Sequence, residues 1–190
     1  MQQLQSHGDA SNYDLVGLES LIEKVDLTNV TSINANLFKN LDFTLAGTRQ
    51  PRALDLTSVT QVGQAAFQNV RGLTFSNLES IITIGQFGFN NANISGTITL
   101  SALTDLGSAA FENNANLTNV TFNNNLETIA ANAFRNTGLN TLSLPTALVT
   151  IDQFAFSNTK ITTLDLSSLD KLQTLNTGAF SSIATLTTVK

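Results

Sequence analysis

The chain has 190 residues, enough for one domain with a sizeable core, and its net charge is −5. Only nine Lys and Arg are spread over its length, which argues against a nucleic-acid-binding face, because such a face must be basic. There is no cysteine, so disulfides, thiol nucleophiles and cysteine-ligated metals are excluded, and no apolar run approaches the ~20 residues of a membrane-spanning helix.

Residues 1–21 form a polar leader or amino-terminal cap. The stretch MQQLQSHGDASNYD lacks the apolar segment of a signal peptide, so the protein is either intracellular or a piece excised from a longer chain. His7, the only histidine, lies in this leader, before any repeat. Serine–histidine and cysteine–histidine nucleophile systems therefore lack a base, and we predict no catalytic residue, no metal site and no enzymatic activity.

From residue 22 to residue 190 one pattern recurs seven times, and its anchor is a phenylalanine that follows a small residue in all copies but the first. The anchors are Phe38, Phe67, Phe89, Phe111, Phe134, Phe156 and Phe180. An aliphatic residue stands five positions before each anchor: Ile33, Val62, Ile84, Leu106, Ile129, Ile151 and Leu175. An asparagine stands two positions after it, except in the last copy, where the residue is Ser182: Asn40, Asn69, Asn91, Asn113, Asn136 and Asn158.

Upstream of these positions each copy carries an alternating apolar pair, such as Leu142 and Leu144, which predicts a short strand. Units of this size bury their apolar faces only by stacking, so the pattern predicts a solenoid with parallel strands about 4.8 Å apart. We expect short helical, 3-10 or extended return legs and an internal spine of Phe rings. The asparagine ends each return leg in a left-handed conformation or bonds neighbouring backbone groups, an interpretation we favour over a sugar-binding amide ladder.

The spacing between the first two anchors is longer than the others because of an insertion loop at about residues 40–53. Four of the nine basic residues lie in or near it: Lys39, Arg49, Arg52 and Arg71. A protruding basic loop on an acidic protein can dock a partner, although a solubilising flap is the simpler interpretation. Phe43 belongs to no repeat position, so we expect that it lies outside the core and that its replacement by Ala has little effect on stability.

The pattern resembles the BspA-like leucine-rich repeats, in which L-x-x-I-x-L-P, L-x-x-I and x-A-F-x-x-C recur at this spacing. The best copy is LNTLSLP from Leu139 to Pro145, followed by Leu148-Val149-Thr150-Ile151 and Ala155-Phe156. The proline occurs in this copy alone, and the family's cysteine is missing, with Asn standing just before its place. The resemblance covers roughly residues 22–190 and implies a leucine-rich-repeat solenoid of about seven right-handed coils with a parallel sheet on its concave face.

Members of that family are mostly surface or secreted proteins of bacteria and some protists, implicated in adhesion and host-protein binding. The resemblance therefore implies an extracellular or cell-surface location. In leucine-rich repeats the concave face is the usual binding surface. Because side chains alternate along a strand, the residue between the two members of each apolar pair points outward on that face. These residues are Asp26, Asp55, Thr74, Thr99, Thr121, Ser143 and Asp165. A solvated sheet face without a ligand is the competing interpretation.

Three functions stay open. The leading hypothesis is a non-enzymatic adhesion module that binds protein or glycan on another cell or host surface, with no cofactor, nucleic acid or membrane insertion. The second is a structural spacer of a larger surface protein. The third is binding to ice or crystal surfaces through a row of threonines: Thr97, Thr99, Thr121, Thr141 and Thr163. Asp, Lys and Asn residues interrupt this row, which disfavours the third hypothesis. An eighth copy that begins at Leu186 and stops at Lys190 also allows end-to-end self-association at an open carboxy-terminal coil.

Overall fold

The computed structural model describes residues 25–46 and 52–190, which form a parallel-strand solenoid of about six turns with almost no helix. Most turns, or coils, contribute strands to two sides. The ladder side consists of β1 (Ser32–Ile33), β3 (Gln61–Val62), β5 (Thr83–Ile84), β7 (Asp105–Leu106), β9 (Thr128–Ile129), β10 (Thr150–Ile151) and β12 (Thr174–Leu175). The pair side consists of β2 (Arg52–Asp55), β4 (Leu73–Ser76), β6 (Gly96–Leu100), β8 (Leu117–Phe122), β11 (Thr163–Leu164) and β13 (Thr188–Val189).

The strand pairings are parallel and join each coil to a neighbour. On the ladder side the strands form two sheets, in the orders β1-β3-β5-β7 and β9-β10-β12. On the pair side they are joined only two by two, as β2–β4, β6–β8 and β11–β13. The expectation of one continuous sheet at the alternating apolar pairs therefore needs correction. The more continuous ladder runs through the aliphatic residues five positions before each Phe.

The Phe spine is present as predicted. Six consecutive ring pairs, from Phe38 to Phe180, stack with centroids 5.1 to 5.5 Å apart and with interplanar angles of at most 12°. Two further rings, Phe75 and Phe122, meet the spine edge-on from the pair side. Each ring that leaves water contributes ~2–3 kcal/mol, so the spine makes a large contribution to the solenoid's stability.

Phe43 contradicts the expectation drawn from the sequence. It begins the single 3-10 helix of the described residues, Phe43–Ala46, and only 2% of it is exposed. Its neighbour Leu41 is buried as well. The first part of the insertion therefore packs into the core instead of protruding from it. The leader, Lys24 and residues 47–51 lie outside the described part of the chain.

The return legs are runs of turns, and each leg holds two residues in the left-handed conformation. One is the asparagine two positions after the Phe, or Ser182 in the last copy, as the sequence predicted. The other lies two positions before the Phe and is not always a residue suited to positive φ: Asn36, Ala65, Phe87, Ala109, Asn132, Phe154 and Gly178. Ala65 and Phe87 adopt a positive φ that their residue types disfavour, because the return leg has the same shape in every copy.

The side-chain amides of the asparagine column also link the coils. Asn69 and Asn91 each donate from Nδ2 to Oδ1 of the preceding member, at 3.0 and 2.9 Å. A second run joins Asn158 to Asn136 at 2.9 Å and Asn136 to Asn113 at 2.7 Å. Each amide thus finds a partner of its own kind one coil away. These contacts support the structural interpretation of the column.

Neighbouring coils approach closely at Gly63, Gly85 and Gly107, which stand four positions before the Phe in the amino-terminal coils. A Cβ at Gly85 would lie 2.7 Å from the backbone nitrogen of Gln64, so only glycine fits this close approach. In the carboxy-terminal coils the same position holds Ala130, Asp152 and Asn176. The ladder side is interrupted where this change occurs, between β7 and β9.

Asn114 is a buried polar connector that the sequence pattern did not reveal. It stands three positions after Phe111, in the place of the family's cysteine, and is 1% exposed. Its Oδ1 accepts the N–H groups of Ala92 (3.2 Å) and Ile94 (2.9 Å), and its Nδ2 donates to the carbonyls of Phe89 and Phe111 at 2.8 Å each. The side chain therefore ties one coil to the next while satisfying its own polar atoms.

Candidate interaction face

The outward residues predicted as a binding face lie on the pair side. Five of them are exposed (Asp55, Thr74, Thr121, Ser143 and Asp165), and two are half-buried (Asp26 and Thr99). Thr99 and Thr121 are direct register partners. Asp55 instead lies opposite Ser76, and Ala53 lies opposite Thr74. The outward residues, predicted to form a single column, are therefore displaced by two positions between β2 and β4, because Leu54 of β2 lies opposite Phe75 of β4.

The aspartates of this face form local turns. The Asp55 carboxylate accepts the backbone N–H of Thr57 at 2.9 Å and its hydroxyl at 2.6 Å. Asp165 does the same with Ser167 at 3.0 and 2.6 Å, and Asp26 with Thr28 at 3.0 and 2.7 Å. The sequence signal is Asp-x-Thr or Asp-x-Ser, typical of an Asx turn, which the sequence analysis overlooked.

These hydrogen bonds favour the charged carboxylates. The hydroxyl of Thr57, then the amide of Asn77, lower the pKa of Asp55 below its ordinary value of 3.8. The hydroxyl of Ser167 and its backbone N–H lower the pKa of Asp165 in the same way. The carboxylates of Asp55 and Asp165 therefore serve partly to hold the turns that follow their strands. The hydroxyl residues between the aspartates are the better candidates for contacts with a ligand.

Two open grooves lie on the pair side where its sheets are interrupted. The first groove separates β4 from β6 and is lined by residues that include Thr74, Ser76, Ser95, Thr97 and Thr99. Among the described residues no backbone hydrogen bond joins these two strands. The interruption therefore leaves backbone polar groups of both strands available at the groove.

The second groove lies between β8 and the segment 141–145, which forms no strand. Its lining includes Asn119, Thr121, Phe122, Thr141 and Ser143. In the described structure the nearest backbone bond runs from the N–H of Asn140, just before this segment, to the Thr118 carbonyl of β8 at 3.2 Å. The two grooves thus repeat one arrangement two coils apart.

Each groove follows a strand that carries a phenylalanine where other coils have Leu, Ile or Val. Phe75 in β4 lies edge-on to Phe67 and Phe89 at 5.1 and 5.4 Å, and Phe122 in β8 lies edge-on to Phe134 at 5.7 Å. Both rings are half-buried and line their grooves. A bulkier side chain at the end of a paired unit therefore coincides with each of the two grooves.

Among the basic residues near the insertion, the structure describes the side chains of Lys39 and Arg71. Lys39 is half-buried in the first return leg. Arg71 is exposed and pairs with Asp42 through an isolated parallel bridge. The Thr44 hydroxyl and backbone N–H, and then the Arg71 charge, lower the pKa of Asp42. Arg52 begins β2, and Arg49 lies outside the described residues.

Two other kinds of site are absent from the described residues. No group of three or more His, Cys, Asp or Glu side chains there is placed to hold a metal ion. No helix in the same part of the chain is long and apolar enough to cross a membrane.

The fold and its repeated coils define a leucine-rich-repeat solenoid. The family model described as a BspA type leucine rich repeat region matches residues 52–162 and 104–190, in six copies. The chain belongs to this family, which confirms the resemblance seen in the sequence. Proteins of this family and fold are generally non-enzymatic repeat proteins.

Two solved structures are similar to the chain. One is a leucine-rich cell surface protein from Faecalibacterium prausnitzii, with a TM-score of 0.51 and 18% identity over 84% of this chain and 42% of that protein. The other is a leucine-rich repeat protein from Bacteroides ovatus, with a TM-score of 0.50 and 19% identity over 84% of this chain and 58% of that protein. The chain thus spans less than two thirds of either neighbour, and the likeness shows the fold alone. A search of curated proteins found no match.

Proposed function

We propose that the chain is a non-enzymatic interaction module of a cell-surface protein that adheres to protein or glycan through its pair side. The observation that carries the proposal is the contrast between a uniform core and varied outward positions. One residue type, Phe, fills the spine in every coil, whereas the outward position changes among Asp, Thr and Ser. A rigid scaffold that presents different side chains from coil to coil suits recognition.

A cell-surface location is part of the proposal. Support comes from the family resemblance and from the neighbour in Faecalibacterium prausnitzii, which is described as a cell surface protein. Composition agrees, since Asn and Thr together supply about a quarter of the chain and only nine residues are Lys or Arg.

A structural spacer is the second candidate, and one observation favours it. The carboxylates of Asp26, Asp55 and Asp165 are bound to their own turns, so part of the apparent binding face has a role in folding. A spacer needs no ligand, and its outer face has only to remain solvated.

Adhesion of beads coated with the purified chain separates the two candidates. The surfaces are individually purified extracellular-matrix proteins and a mucin glycoprotein. The matched variant replaces Thr74, Thr99, Thr121 and Ser143 by Lys and the three turn aspartates by Asn, which keeps a side-chain oxygen for each turn. We expect the native chain to bind and the variant to lose binding while it stays folded at the temperature of the assay. Binding that survives the replacement, or no binding by the native chain, would sink the proposal.

A further inference from the structure

We propose that the two grooves on the pair side are subsites for a neutral oligosaccharide, an inference that rests on the proposed adhesive function and names its ligand. The grooves are concave, and they occur where the pair side is interrupted, so their shape follows from the fold and not from one flexible side chain. Their recurrence two coils apart gives a ligand with repeating units two equivalent places to bind.

The polar groups that line the grooves match sugar hydroxyls. The hydroxyls of Thr121 and Ser143 in the second groove, and those of Thr74, Thr97 and Thr99 in the first, make no hydrogen bond to another described residue. A hydroxyl both donates and accepts, as do the hydroxyls of a sugar. The four threonines lie on strands, so they are available to a ligand without rearrangement of the backbone.

Charge argues for a neutral ligand. The second groove is lined by no ionisable side chain, and the first by one, Glu79. An acidic polysaccharide would find no cation in either groove. A basic peptide would find one carboxylate at most, because Asp55 and Asp165 accept hydrogen bonds within their own turns.

Each groove also offers an aromatic surface. Phe75 and Phe122 are half-buried, held edge-on against the spine, and line the first and second grooves respectively. The C–H groups of a sugar ring pack favourably on such a ring while its hydroxyls reach the surrounding Thr and Ser. Of the residues that are enriched at the centre of protein interfaces, Phe lines both grooves, whereas Tyr, Trp, Met and Arg line neither.

The test is an NMR titration of the full chain, labelled with ¹⁵N, with neutral hexasaccharides: β-1,4- and β-1,3-linked glucose, α-1,4-linked glucose and β-1,4-linked mannose. Hexagalacturonate serves as the charged comparison. We expect at least one neutral sugar to shift the amide signals of Thr121 and Ser143, and those of Thr97 and Thr99, in a saturable way. The charged sugar should leave them in place.

Two double variants, both checked for an unchanged melting temperature, complete the test. Thr121→Ala with Ser143→Ala should weaken the binding of that sugar about tenfold, as expected for the loss of two hydrogen bonds. The matched control, Thr128→Ala with Thr150→Ala on the ladder side, should leave it unchanged. The inference is overturned if no neutral sugar binds, if the control weakens binding equally, or if the shifts follow the asparagine column. Bead adhesion without sugar binding would leave the proposed function standing; failure of both would remove it.

Discussion

The ladder side and the pair side are built by the same coils, yet they differ in regularity. The ladder side has two-residue strands, and these strands and the Phe return legs repeat with little variation. Strand pairing and ring stacking connect each of these coils to the next. The pair side has strands of two to six residues, joined only two by two and separated by grooves. Stability therefore depends mainly on the regular part. The irregular part, where each coil differs, is where a specific ligand has something to recognise.

The largest expected effect comes from breaking the regular part at its centre. Phe134 is fully buried between Phe111 and Phe156, with centroids 5.4 and 5.5 Å away, so its replacement by Ala leaves a cavity that the stacked coils cannot close. We expect Phe134→Ala to lower the free energy of unfolding by ~3–5 kcal/mol. Denaturant melts measure it. On the pair side Thr121→Ala should change stability by less than about 0.5 kcal/mol.

Equal stability of these two variants would contradict the proposed coil register. Phe43→Ala extends the comparison to the insertion. Because Phe43 is as buried as the spine rings, its loss should also lower stability by ~3–5 kcal/mol, not by the small amount that its position outside the repeat suggested.

Close approach of the amino-terminal coils provides the next test. Gly85→Ala places a Cβ against the backbone of Gln64, which cannot move without breaking its own coil, so we expect a loss of ~1–3 kcal/mol. The matched control is Ala130→Gly, the equivalent position in the carboxy-terminal coils, with an expected loss of ~0.5–1 kcal/mol. Thermal or urea melts of both variants suffice. A larger loss for Ala130→Gly would mean that coil spacing is not set by this position.

The buried amide of Asn114 tests polar contacts between coils. Asn114→Ala leaves the N–H groups of Ala92 and Ile94 and the carbonyl of Phe89 without this partner, and we expect a loss of ~1–3 kcal/mol. Hydrogen exchange gives a second measure, since the amide of Ile94 should lose protection. Unchanged exchange at Ile94 would show that this bond contributes nothing.

The smallest effect is expected on the pair side, in acid. Because the folded-state pKa values of Asp55 and Asp165 are lowered, their contribution is complete above the unfolded value near 3.8 and is lost as pH falls through the folded values. Melting temperatures should therefore decrease below about pH 4. Asp55→Asn with Asp165→Asn should reduce that decrease, whereas Thr121→Asn, which removes no carboxylate, should not. An identical acid profile for all three proteins would refute this origin.

The same difference between the two sides explains what the sequence could predict. The spine and the asparagine column keep a constant spacing within each coil, because every leg must make the same two left-handed turns, so seven copies reinforce one another. The pair side has no constant spacing to its Phe. Leu54 stands 13 residues before Phe67, but its partner Phe75 stands 14 before Phe89, and the register of Asp55 was consequently misplaced.

Single features were beyond a repeat-based prediction for a related reason. Phe43 has no counterpart in other coils, and nothing local distinguishes an inserted Phe that folds inward from one that does not. Asn114 occupies a position that is Leu41, Val70 and Ala92 in the preceding coils, so the pattern offered no sign of a buried amide. The grooves depend on which neighbouring strands fail to pair. Strand pairing depends on two adjacent coils together, so it cannot be predicted from the sequence of one coil alone.

The direction of the bonds between coils has a mechanical consequence. Strand pairing, the asparagine amides and Asn114 all connect one coil to the next along the stacking axis. A pull on the two ends of the chain therefore acts on the contacts between coils in series. The weakest terminal contact breaks first, before the force rises far enough to break the others. Each rupture frees one coil of about 22 residues, a contour of ~75 Å, so the chain lengthens stepwise at nearly constant force. Such a chain acts as an extensible tether that limits the tension on whatever holds its ends.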